Sequence, residues 1–153
     1  MGDSLIQEIE SHGIEVYEVK FSSKNIKGLY IDNIIAINKS VKTIAEKNCI
    51  LAEELGHYHT TVGDILDQSK IENRKQEYKA RRWAIKRLIR VEQFIDAFNA
   101  GVRNRVELAD FLDVTEEFVD MALEHFKAIY GTTYTINEYT ICFSPLMVYK
   151  SFE

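Results

Sequence analysis

The sequence predicts an α+β fold, mostly helical, with a small sheet near its start, and three observations carry that prediction. Residues 14–38 are rich in β-branched and aromatic side chains in short runs. Residues 42–62 and 71–89 instead space their apolar side chains at helical intervals, and residues 134–143 return to alternation around Asn137-Glu138.

Element by element, Leu5, Ile6 and Ile9 define a short first helix over residues 3–12, and Gly13 stands where a helix C-cap belongs. Three strands are expected next, Ile14-Glu15-Val16-Tyr17-Glu18-Val19, Gly28-Leu29-Tyr30-Ile31 and Ile34-Ile35-Ala36-Ile37. Asp32-Asn33 is a two-residue turn between the last two, so the sheet reads as largely antiparallel. Two long helices follow, joined by the polar residues 63–69. Three shorter helices come after residue 90. The first runs from Val91 to Ala100, the second is capped by Asn104 with Glu107 three residues on, and the third is capped by Thr115 with Glu116 and Glu117 in its first turn. A C-terminal hairpin closes the chain. With a single proline and no Gly/Ser tract, residues 1–153 read as one domain with subregions 1–90, 91–131 and 132–153.

Composition narrows the class of protein without naming an activity. The chain has 153 residues, 46% hydrophobic and 28% charged, with 19 Lys+Arg against 24 Asp+Glu for a net charge of −5. That length buries enough surface for a core without disulfide or metal staples. Two cysteines, Cys49 and Cys142, form no closely spaced pair, which points to a reducing cytoplasm. The acidic N-terminus does not read as a signal peptide, and no apolar run reaches the ~18–20 residues of a membrane span.

The informative stretch is Ala52-Glu53-Glu54-Leu55-Gly56-His57. At 100° per residue, Glu53 and His57 lie about 40° apart on the helix surface, with Glu54 on the adjoining flank. This is the spacing of H-E-x-x-H with Glu in the first position. In that motif the two end residues bind zinc, and the second-position Glu takes a proton from water that the ion has acidified. A carboxylate can stand in for the first imidazole, since it binds zinc at about 2.0–2.2 Å. The next helix offers a third ligand in Glu77, with Ala80, Ala84 and Leu88 within about 60° of it, so that its carboxylate faces inward. Lys75, Lys79, Arg82, Lys86 and Arg90 gather on the opposite side.

These residues resemble the ImmA/IrrE family of metallo-endopeptidases. The likeness runs from Gly28-Leu29-Tyr30-Ile31-Asp32-Asn33, similar to the family's substrate-edge strand, through Ala52-Glu53-Glu54-Leu55-Gly56-His57 to Glu77-Tyr78-Lys79-Ala80-Arg81-Arg82-Trp83-Ala84. The resemblance implies a small antiparallel sheet packed on a zincin-like helix pair, followed by a helix-turn-helix-like three-helix module and the hairpin. It implies His57 and Glu77 as metal ligands and Glu54 as general base. Glu53 stands where the family usually has His, and as third ligand it makes a carboxylate-rich site that suits zinc but also manganese or iron. It implies further that the chain cleaves a helix-turn-helix repressor of a phage or mobile element and so relieves repression. The alternative is a non-proteolytic anti-repressor or adaptor of the same fold that acts by binding its partner.

Other chemistry-bearing residues read more plainly. His12, His59 and His125 are expected at the surface or its boundary, Cys49 as a small buried residue, and Trp83 with Tyr78 as core. Asp64 and Asp67 read as turn residues, with a supporting contact to His57 as the alternative. The module from Arg103 to Glu124 resembles a helix-turn-helix, but its would-be recognition helix, residues 115–124, carries four acidic and no basic side chains. Phosphate would repel it, so a docking or packing role is expected rather than DNA binding.

Overall fold

The computed structural model describes residues 2–23, 25–60 and 71–151. Its elements, in chain order, are α1 (Gly2–Ser11), β1 (Glu15–Val19), β2 (Gly28–Ile31), β3 (Ile34–Asn38), α2 (Ile44–Thr60), α3 (Ile71–Leu88), α4 (Glu92–Asn99), α5 (Arg105–Leu112), α6 (Glu116–Tyr130), β4 (Thr133–Ile136), β5 (Tyr139–Phe143) and β6 (Leu146–Lys150). The chain is α+β, and it divides into two units, Met1–Leu88 and Ile89–Glu153. No helix among the described residues is long and apolar enough to cross a membrane.

In the first unit, α1 ends as its sequence predicts, with Gly13 at φ +75° and its N–H donating to the Glu10 carbonyl at 2.9 Å. The Asp32-Asn33 turn also forms as expected: both residues have positive φ, 50° and 62°, the conformation whose twist matches a tight hairpin. β2 and β3 are therefore antiparallel, with Leu29 opposite Ala36. The third strand departs from expectation. β1 pairs with β3 in parallel, Val16 beside Ile35, so the order is β1-β3-β2 and the sheet is mixed.

The reason lies in the connection between β1 and β2, which crosses to the far side of β3 rather than turning back. Asn38, only 4% exposed, secures it. The Asn38 amide donates to the Ile26 carbonyl at 2.8 Å, its side-chain oxygen accepts from Ser40 N–H at 3.0 Å, and its backbone N–H donates to Lys27 at 2.9 Å. A buried amide with partners on both sides fixes a backbone path that strand propensity alone leaves open. Leu5, Ile9, Ile14, Ile35, Leu51, Leu55 and Ile85 are fully or almost fully buried in this unit. Each contributes about 1.5–3 kcal/mol relative to exposure.

The second unit opens with the three short helices. Asn104 accepts from Glu107 N–H at 2.9 Å while the Glu107 carboxylate accepts from Arg103 N–H at 2.9 Å, a reciprocal closure of the α5 start. Thr115 accepts from Phe118 N–H at 3.1 Å and caps α6. Thr115→Ala is expected to cost about 1 kcal/mol, read as a lower urea midpoint at unchanged slope; an unchanged midpoint would show that the cap bond contributes nothing.

The expected terminal hairpin, β4 with β5, is present, and β6 extends it to a three-stranded antiparallel sheet in the order β4-β5-β6. Pro145 occupies the turn after β5, and Leu146–Lys150 pairs back along β5 as a strand not expected from the sequence. Phe94, Leu108, Leu112, Phe118, Phe126 and Phe143 form the core. His125 is 7% exposed and packs on Phe126 at 5.2 Å between ring centroids, so it is a buried residue rather than a surface one.

Candidate metal centre

The first unit's two long helices build the site. α2 is capped by Thr43, whose hydroxyl accepts from Glu46 N–H at 3.1 Å, and it runs uninterrupted through Glu53, Glu54 and His57 to Thr60. α3 brings Glu77 alongside. The helices approach closely because both contact surfaces are small. Ala80 and Ala84 are buried on α3, and Gly56 on α2 lies so near that a Cβ there would overlap the Ala80 carbonyl oxygen and sit 3.2 Å from the Ala80 Cα.

That approach sets the distances. His57 Nε2 lies 2.8 Å from Glu77 Oε1 and 3.9 Å from Glu54 Oε1, and the imidazole is only 4% exposed. One ring nitrogen is thus flanked by carboxylates from two helices. Glu53 takes another direction: its carboxylate lies 3.9 Å from Arg81 Nε. The structure therefore brings Glu54, His57 and Glu77 together and sets Glu53 at the margin, against a guanidinium. Cys49 is buried on α2, and Asp64 and Asp67 lie outside the described residues.

Electrostatics shows the strain of this grouping. Burial pushes the Glu54 carboxyl up to about 7, Glu77 and Glu53 push the same way, and His57 opposes them. Burial also raises Glu53 against the pull of Arg81. His57 is drawn down by burial, but the Glu77 hydrogen bond and the charges of Glu54, Glu77 and Glu53 outweigh that, so it is raised. A set in which Glu54 and His57 are buried and Glu53 and Glu77 half-buried holds more carboxylates than its one imidazole can balance, and it is suited to a divalent cation, which would hold the acids ionised. The donor chemistry, one imidazole with carboxylates, fits such an ion.

The sheet reaches the same place. β2 is an edge strand, and at its first residue a Cβ on Gly28 would overlap Ile50 and lie 3.0 Å from Glu54 Oε2. A main chain without a side chain thus runs directly past the Glu54 carboxylate.

A second grouping escapes the sequence reading. Among the described residues, the one trio of His, Cys, Asp or Glu whose ligand atoms all lie within 4.8 Å of one another is Glu8, His12 and His59. The four-residue spacing of Glu8 and His12 was the available signal. The partner on α2 is 47 positions further along the chain, so only folding reveals it.

No curated protein and no solved structure matches the chain. A family model does: the IrrE N-terminal-like domain, a peptidase family, matches residues 9–124, which span β1 to β3, both long helices, α4, α5 and most of α6. On this match the chain belongs to the ImmA/IrrE family of metallopeptidases.

Proposed function

We propose that the chain is a zinc-dependent endopeptidase that cleaves a helix-turn-helix repressor of a phage or mobile element in the cytoplasm. The observation that carries this reading is the 2.8 Å approach of His57 Nε2 to Glu77 Oε1 across two helices, with Glu54 buried beside them, in a chain of a metallopeptidase family. His57 and Glu77 would hold the ion, joined by Glu53 once its side chain leaves Arg81. When bound, zinc supplies Lewis acidity to a carbonyl oxygen and makes water nucleophilic at neutral pH. Glu54 accepts a proton from the attacking water and delivers it to the leaving amine. The edge of β2 takes the substrate in extended form by strand addition, main chain to main chain. Two cysteines 93 positions apart, Cys49 and Cys142, with no closely spaced pair, accord with a reducing compartment.

The second reading, an anti-repressor or adaptor that binds without cutting, is favoured by one observation, the orientation of Glu53 toward Arg81. Direct DNA binding finds little support in the three-helix module. Its Arg105 is engaged by Glu116 at 3.0 Å and Asp120 at 2.6 Å, which leaves the acidic α6 without a phosphate-seeking face.

Incubation with the helix-turn-helix repressor encoded nearest to this chain separates the readings. Two fragments, produced at more than one turnover per chain and resolved by mass spectrometry, are expected. A stoichiometric complex with intact repressor would establish the binding-only reading. Elemental analysis of the purified chain is expected to show a metal content that falls by roughly one equivalent per chain in His57→Ala and again in Glu77→Ala, each compared with the wild type; a content unchanged in both variants would remove these residues from the site.

A further inference from the structure

We propose that Glu8, His12 and His59 form a second, peripheral site for a divalent late first-row transition ion, which clips α1 to the last turn of α2. The site is separate from the buried centre. His59 stands two residues after His57, about 200° around the helix, and so faces the opposite side of α2.

Three properties support the assignment. The ligand atoms already lie within 4.8 Å of one another. Ligands around one ion at ~2.1 Å sit roughly 3–4 Å apart, and both histidines are exposed, so small side-chain rotations close the difference. Each ligand is also steadied by a neighbour. Arg87 Nε donates to Glu8 Oε1 at 2.7 Å, holding the carboxylate by one oxygen and leaving the other for an ion. His59 stacks on Trp83, with ring centroids 4.6 Å apart and planes at 23°. His12 packs edge-on to His59 at 5.0 Å and against Tyr58 at 5.1 Å. Outer contacts of this kind orient ligands in metal sites generally. Finally, two imidazoles with one carboxylate select zinc, nickel or copper over magnesium or calcium, which prefer all-oxygen surroundings.

Trp83 supplies the test, because it is the chain's single tryptophan and it stacks on one of the ligands. Nickel titration of the full chain, followed by tryptophan emission, is expected to give saturable quenching in the wild type and in His57→Ala. In His12→Ala the midpoint should move upward at least about tenfold, since losing a ligand costs no less than losing its support. Glu8→Gln should behave in the same direction. Circular dichroism confirms that each variant is folded, which the exposure of His12 favours. Excess magnesium should leave the quenching unchanged. A His12→Ala curve that overlays the wild type would overturn the proposal, as would quenching lost in His57→Ala alone or absent from the wild type at millimolar nickel.

Discussion

Glu54→Gln is expected to lower repressor cleavage by roughly 10²–10⁴-fold, the range associated with removing a positioned general base. Fold and metal content should stay as in the wild type. The substitution keeps the side-chain volume beside Gly28 and keeps an oxygen acceptor, but it removes the group able to take a proton. Glu54 is also not one of the ligands His57, Glu77 and Glu53. The check is kcat/KM on the purified repressor beside elemental analysis and a melting curve of the same samples. Cleavage at the wild-type rate would reject the role given to Glu54. Loss of metal together with cleavage would instead make Glu54 a ligand.

Gly56→Ala is the second large effect, and its sign runs against ordinary helix propensity. In an exposed helix interior, replacing Gly by Ala stabilises by about 0.8–1.0 kcal/mol. Here the added methyl group meets the Ala80 carbonyl oxygen, a backbone atom that cannot swing aside, so α2 and α3 must separate. Overpacking of this kind costs typically 1–3 kcal/mol, which outweighs the propensity gain. Because His57 and Glu77 sit on either side of the same helix contact, separation also lengthens their 2.8 Å approach, and the metal content should fall with stability. Urea unfolding and elemental analysis read both effects. A variant that gains about 1 kcal/mol and keeps its metal would show that the helices are not in close contact at Gly56.

The legible parts of this fold are those with local signals. Asp32-Asn33 announces its turn because both residues tolerate positive φ, and Asn104 and Thr115 announce helix starts because their side chains reach their own backbone three residues on. The spacing of Glu53, Glu54 and His57 and the small face around Glu77 likewise belong to single helices, and the structure places His57 Nε2 2.8 Å from Glu77 Oε1 while Glu53 turns toward Arg81. What stayed hidden depends on residues far apart in the chain. The parallel pairing of β1 rests on Asn38 gripping a connection a dozen or more residues upstream, and nothing in the run Ile34-Ile35-Ala36-Ile37 encodes direction. The orientation of Glu53 depends on Arg81 in another helix, and periodicity within α2 is silent about it. The close approaches at Gly56 and Gly28 are visible only once the approaching chain is in place.

The Asn38 anchor has a further meaning for the proposed substrate. By fastening the connection that leads into β2, it leaves the edge strand organised before any peptide arrives. Conformational entropy lost on docking is then largely that of the incoming chain, about 1–2 kcal/mol for each residue fixed. A peptide already extended loses least, whereas one folded into a repressor helix must first melt. On the proposed reading, the scissile bond therefore falls in a linker or a locally unfolded segment of the repressor, and the timing of cleavage is governed by when the substrate opens.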